Sequence, residues 1–353
     1  MSSRSQRACI GRVAQRVALF VATSCACAID FPGTFDTDRG VYSEFLDYED
    51  VEQRLPTLAT HRTELYLAIR PDDVDSGALE SVLLAARRHG VPVRAWLLLD
   101  DGDGYWPGEH NLDAFDAHVR AFWRWNRRAH LGVEWVLVDM EPALAISNQL
   151  ADALQSGDVS AAVPVLLANR DAEAFAQSQA AWKAAVDAWH DQGMLVACVG
   201  LPYVLDDFGD GDADIQDMFD SPIDGIDWDE LGFLVYQNLY GMPSARLGAP
   251  LVFDYAQTIA QRWGERGAIA LGTIGSVGKN TDSIGYEDRA ALEADLDAAA
   301  AAGLEKFQLF SLDGMEREGG VGEWIGGLAI QPMMPPSDDA VAQARAMVAL
   351  LDG

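Results

Sequence analysis

Asp139-Met140-Glu141 is the segment of this chain best placed for acid–base chemistry. It closes the apolar run Val133-Glu-Trp-Val-Leu-Val138 and is followed at once by Pro142. Alternate side chains of a strand share a face, so both carboxylates project the same way, roughly 7 Å apart along the backbone. Two acids that close cannot both ionise freely, and the second proton is held more tightly. A general acid that cleaves a glycosidic bond needs this property, because it must keep its proton near neutral pH until the leaving oxygen takes it. A lone acid at a strand end is usually just solvated. An alternating pair behind a run of buried-type residues points to a site.

Polar residues follow the other apolar runs too. Leu99 leads into Asp100, Asp101, Tyr105 and Trp106; Gly200 leads into Tyr203; Val235 leads into Tyr236, Gln237, Asn238 and Tyr240. Gly272 is followed by Thr273 and Ser276, and Phe310 by Ser311 and Asp313. The catalytic candidates are Glu141, Asp139 and Tyr236, and the substrate-binding candidates are Asp100, Asp101, Trp106, Tyr203, Gln237, Asn238 and Asp313. Flat rings in loops stack on sugar faces. Tyr105, Trp106, Tyr203, Tyr240 and Trp324 fall in such segments, and Trp106 and Tyr236 are the preferred ligand contacts. Trp96, Trp123, Trp135, Trp182 and Trp189 fall in strand or helix segments and read as core.

Other chemistries are poorly served. No H-x-H or H-E-x-x-H pattern occurs, and His61, His89, His118, His130 and His190 fall on expected helices or their ends, leaving His110 alone in a site-side loop. A histidine-based metallohydrolase is therefore disfavoured, and neither a metal nor another cofactor is expected. Ser276 and Ser311 lack the nucleophile-elbow pattern of esterases. The acidic stretch from Asp206 to Asp214, continuing to Glu230, misses the EF-hand spacing and reads as a solvated loop.

Positioning those strand ends requires a repeated strand–helix unit. Apolar runs at 65–69, 91–99, 133–138, 194–200, 231–236, 268–272 and 306–310 alternate with helical stretches at about 76–89, 112–129, 251–266, 288–303 and 338–351. A longer helical region precedes His190, broken near Gly157 and Asn169. Asn111 and Ser337 read as N-caps. An eighth strand lies upstream, at Ile29–Phe35 or Gly40–Phe45. Continuously apolar strands are those buried on both faces. No Gly-rich nucleotide turn occurs, so the pattern predicts an α/β protein: a (β/α)8 TIM barrel, one domain over 29–353 with extended loops. In such barrels the chemistry sits at the C-terminal ends of the strands.

The first 28 residues differ from the rest: Arg4, Arg7, Arg12 and Arg16 stand without an acid before Val17–Ala22 and a small-residue Ala26-Cys27-Ala28 site. They read as a signal peptide or lipoprotein leader, with Cys25 or Cys27 the acylated residue, and predict a protein secreted, periplasmic or lipid-anchored at a bacterial envelope. Cys198 is then the one cysteine of the body, a core filler, and no disulfide framework exists. The chain has 55 acidic and 25 basic residues, a net charge of −30, which becomes −34 without the leader. Such a surface repels phosphate backbones, so no nucleic-acid partner is expected, and no run of apolar residues is long enough to span a membrane. The expected partner is a carbohydrate.

The D-x-E pair ending strand four, Tyr236 followed by an amide after strand six, and Phe310-Ser311-Leu312-Asp313-Gly314 after strand eight resemble the glycoside hydrolase family 18 (chitinase-like) barrels. The match is partial: Leu137 replaces the middle acid of that family's strand-four motif, Leu98-Leu99-Asp100-Asp101 stands where it has S-x-G-G, and Tyr236-Gln237 replaces its Tyr-Asp. Family 25 lysozymes are similar D-x-E barrels. The resemblance implies Glu141 as acid/base, Asp139 as the residue orienting an N-acetyl group or Glu141 itself, and Tyr236 as hydrogen-bond donor to the attacking carbonyl in a substrate-assisted reaction on an N-acetylhexosamine. Without an acetamido group, Asp139 or Asp313 would serve as nucleophile or base. Loss of the middle acid also allows a catalytically silent, glycan-binding barrel.

Overall fold

A computed structural model describes residues 38–154, 161–208, 211–236, 247–275 and 285–348. Eight parallel strands close into a barrel in chain order: β1 Asp38–Ser43, β2 Thr63–Ile69, β3 Val93–Leu97, β4 Trp135–Met140, β5 Leu195–Gly200, β6 Glu230–Leu234, β7 Gly267–Gly272 and β8 Lys306–Phe310. The closure pairs Val41 of β1 with Leu309 of β8. The predicted (β/α)8 architecture is thus the observed one. Of the two positions considered for the first strand, the downstream one forms it; the other, like the leader, lies outside the described residues.

Helices α1 Tyr48–Thr60, α2 Gly77–His89, α3 Leu112–Ala129, α4 Leu144–Leu154, α5 Val163–Asn169 and α6 Ala172–His190 follow the first four strands. The short α7 Asp214–Met218 follows β5, α8 Gly248–Trp263 follows β6, and α9 Arg289–Ala301 follows β7. After β8 come α10 Leu312–Arg317, α11 Val321–Ile325 and α12 Asp339–Val348. Local chemistry explains the boundaries. Ser76 Oγ accepts the Leu79 amide at 3.3 Å to start α2, and Gly90 ends it in the left-handed conformation (φ +72°) that glycine adopts freely. Asn111 precedes α3, but its side chain does not cap it: Oδ1 accepts from Gly108 N at 2.9 Å, and Nδ2 donates to the Trp106 and Asp103 carbonyls. It fastens the β3–α3 loop instead. At α12 it is Asp338, not Ser337, that accepts from the first turn, through Ala340 N at 2.8 Å.

Strand alternation sorts the core into two clusters. Val136, Val138 and Met140 of β4 point outward into the large cluster shared with the helices, together with Phe115, Phe122, Trp182 and Trp189. Trp135 and Leu137 point inward with Tyr42, Tyr66, Trp96, Val199 and Phe310. Asp139 is next on that inward face, and Cys198 fills the outer core. Each fully buried large side chain contributes roughly 1.5–3 kcal/mol.

The floor of the barrel is ionic, which the apolar pattern did not foretell. Glu230 of β6, 1% exposed, accepts Arg94 Nη1 at 2.8 Å, Lys306 Nζ at 2.9 Å and Gln308 Nε2 at 3.1 Å. Arg94 also bonds Glu64 at 2.9 Å and lies over the Trp135 ring, 4.2 Å from its centroid. The segment read as a solvated acidic loop is largely interior as well. Asp207, Asp217 and Asp220 are each 1% exposed, and Asp207 accepts from Ile215 N, Gln216 N and Gln216 Nε2. Those carboxylates replace the backbone partners that an irregular connection lacks.

Candidate active site

At the C-terminal mouth of the barrel three acids meet. Asp139 ends the inward face of β4 and is 3% exposed; Glu141, one step further along the same face, is half-buried. The third is Glu44, immediately after β1. Burial raises the Asp139 carboxyl well above the ordinary range, reinforced by the charges of Glu141 and then Glu44. Burial, then the Glu44 charge, pushes Glu141 up to about 8. The indole N–H of Trp96 favours ionised Asp139, but only loosely, since neither Trp96 Nε1 nor Asp139 Oδ1 has a hydrogen-bond partner of ordinary geometry. At neutral pH this group therefore holds a proton, which Glu141 can carry at the rim.

Tyr236 completes the cluster. Its phenol is raised well above the usual tyrosine range by burial and by Asp139, Glu141 and Glu44, in that order, so it remains a neutral donor beside the acids. Its ring stacks on Phe310 at 5.8 Å between centroids. Gly272 makes this possible, because a Cβ there would stand 2.9 Å from the Tyr236 ring. Below lies an aromatic layer in which Tyr42 stacks on Tyr66 at 4.7 Å and meets Trp96 edge-on at 5.0 Å. The Tyr42 hydroxyl donates to Gln308 Oε1 at 2.6 Å, linking this layer to the ionic floor.

The structure brings Asp139, Glu141 and Tyr236 together and places the other candidates variously. Asp313, 2% exposed, spends both oxygens on backbone: it accepts from Glu44 N at 3.0 Å, Phe45 N at 2.8 Å and Leu46 N at 2.6 Å. It thereby holds the loop that carries Glu44. Asp100 and Asp101 are exposed at a 3-10 turn over Asp101–Asp103. Trp106 is 8% exposed and packs edge-on against Tyr105 at 4.8 Å, within the interior aromatic cluster. Tyr203 stacks on Phe219 at 5.1 Å. Trp324 is buried with its indole donating to Glu318 O at 3.0 Å. Gln237, Asn238 and Tyr240 lie outside the described residues.

Glu44 and Arg70 were missed, and Tyr105, read as a loop aromatic, is instead the link between them. The Tyr105 hydroxyl donates to Glu44 Oε1, and Arg70 Nη2 donates to that hydroxyl at 3.2 Å, with its guanidinium 5.0 Å from the Tyr105 ring centroid. No apolar run longer than Gly40-Val41-Tyr42 flags β1, which is why its terminal acid carried no signal.

Asp313→Asn should expose the importance of the loop clamp. It weakens three charge-assisted bonds to backbone amides, so a loss of about 2 kcal/mol in denaturant unfolding is expected. An unchanged midpoint would show that the Glu44 loop is held by other contacts.

No protein-family model matches this chain, and no curated protein does. Among solved structures, the glycoside hydrolase domain of PgaB (BpsB) from Bordetella bronchiseptica is 12% identical, with 84% of this chain and 99% of that one covered at a TM-score of 0.49. A glucosidase from Croceicoccus marinus is 11% identical, covering 91% of this chain and 69% of the other at 0.45. D-allulose 3-epimerase from Methylomonas sp. is 13% identical, covering 92% and 100% at 0.40.

Proposed function

We propose that this chain is a glycoside hydrolase in which Glu141 is the acid/base. The observation that carries the reading is the elevated Glu141 carboxyl, about 8, at the rim of the barrel beside two further carboxylates. A carboxylic acid that keeps its proton at pH 7 is what protonation of a leaving glycosidic oxygen requires. Asp139, buried behind it, shares that proton and orients the acid. For an N-acetylhexosamine substrate Tyr236 donates to the acetamido oxygen, which attacks the anomeric carbon. Otherwise Glu44, anchored by Tyr105 and Asp313, is positioned as nucleophile or base. The leader would place the enzyme outside the cytoplasm, in keeping with a polysaccharide substrate, and neutral sugars suit so acidic a protein better than anionic polymers.

A silent glycan-binding barrel is the alternative, favoured by Leu137: it is fully buried in the interior, where the resembling family carries an acid. A glycan panel scored for both binding and reducing-end release separates the readings. Release supports the hydrolase; tight binding without release at any pH contradicts it.

The acid limb also has a signature. With Glu141 near 8 in the free protein, kcat/KM should fall as pH rises through about 8 rather than through about 5. A profile already declining above pH 5.5 would assign the essential acid elsewhere.

A further inference from the structure

Behind Glu141 lies a second group of acids that the proposed hydrolysis does not use. Glu109 and His110 sit in the loop between β3 and α3, and Asp217 and Asp220 at and after α7. Glu109 is 6% exposed and Asp217 and Asp220 are 1% each. Both Glu109 carboxylate oxygens, Asp220 Oδ2 and Asp217 Oδ2 are buried without a hydrogen-bond partner. Buried carboxylate oxygens are almost always satisfied, and several orphaned together imply a missing cation.

The geometry narrows what that cation is. His110 bridges two of the acids: its Nδ1 is 3.6 Å from Glu109 Oε1 and its Nε2 is 3.4 Å from Asp220 Oδ1. One donor atom from each of Glu109, His110 and Asp220 lies within 4.8 Å of the others, which is the spread of ligands around one ion. The imidazole itself is half open to solvent and can turn to meet a metal. Fixed backbone surrounds the cluster. Glu109 N donates to Asp220 O at 3.0 Å, Ser178 Oγ donates to Glu109 O at 2.7 Å, and Asn169 Nδ2 donates to Asp220 Oδ1 at 2.8 Å. Arg170, whose charge acts on Asp217, is paired with Asp214.

We propose that Glu109, His110 and Asp220 bind a divalent first-row metal ion, Zn2+ or Mn2+, with Asp217 supplying further buried negative charge. Two carboxylates with one imidazole suit such ions better than Ca2+ or Mg2+, which prefer all-oxygen shells. The ion fastens the β3–α3 loop to the segment after α7, and both press on the catalytic strand. Gly108 is so close that a Cβ on it would stand 2.9 Å from Asp220 O and 3.4 Å from Glu141 O. The site goes beyond the hydrolase reading and stands or falls without it.

The test uses the whole chain, stripped with EDTA, desalted and incubated separately with Zn2+, Mn2+ and Ca2+. After gel filtration, elemental analysis should find one equivalent of Zn2+ or Mn2+. At a hundredfold excess over Kd the melting temperature should rise by about 5 °C. Glu109→Gln and His110→Ala should each weaken binding by roughly tenfold or more. The apo melting temperature of each variant is measured beside the metal titration, so that a loss of fold is told apart from a loss of metal binding. No retained metal, binding that survives both substitutions, or retention of Ca2+ alone would each overturn the assignment.

Discussion

Glu141→Gln is expected to fold, to bind sugar as before and to lose hydrolysis by about 10²–10⁴-fold. The amide keeps the size of the acid and can still donate a hydrogen bond, but it has no proton to give the leaving oxygen. The same substitution has a second consequence that needs no substrate. In the folded protein Glu141 is raised from 4.5 to about 8, so folding takes up a proton between those values. Stability from this carboxyl is complete below about 4.5 and falls as pH rises towards 8. Glutamine removes that dependence. The variant should therefore be more stable than wild type at pH 8, by an amount on the order of a few kcal/mol, and nearly equal to it at pH 4. Equal pH dependence in both proteins would mean that Glu141 ionises normally.

Glu230→Ala is expected to have the largest effect on stability. Glu230 is the shared acceptor for Arg94, Lys306 and Gln308 in the barrel floor, and its loss leaves the Arg94 guanidinium buried with only the half-buried Glu64 to balance it. Removing one partner of a buried ion pair typically costs about 3–5 kcal/mol, because the remaining charge is uncompensated. Replacing Arg94 by methionine in the same protein should recover much of that loss, since the network's worth lies in mutual compensation. Urea unfolding of the single and double variants measures both steps. If the double variant were no better than Glu230→Ala, the loss would come from the cavity rather than from the stranded charge.

The fold was readable because seven of the eight strands are predominantly apolar runs, as burial on both faces demands. The β4 pair was readable for the same reason. Trp135 and Leu137 point inward, so Asp139 and Glu141 had to follow them to the mouth. What the sequence concealed is what long-range pairing creates. Glu44 sits after β1, whose apolar run is no longer than Gly40-Val41-Tyr42, and becomes a site residue through Tyr105 and Asp313, 61 and 269 positions away. Asp313 looked like a binding residue by its place after β8, yet three backbone amides consume it. In the acidic stretch, charge suggested solvent exposure, while Asp207, Asp217 and Asp220 are buried because the loop folds back around them.

The central claim is that Glu141 carries a proton at neutral pH, and the titration of its own carboxyl tests it most directly. Carbon-13 NMR of protein labelled at the glutamate δ-carbon, wild type beside Glu141→Gln, isolates that resonance as the one missing from the variant. The account predicts a carboxyl midpoint near 8. A resonance that is fully ionised by about pH 6, in line with an ordinary glutamate, would contradict it.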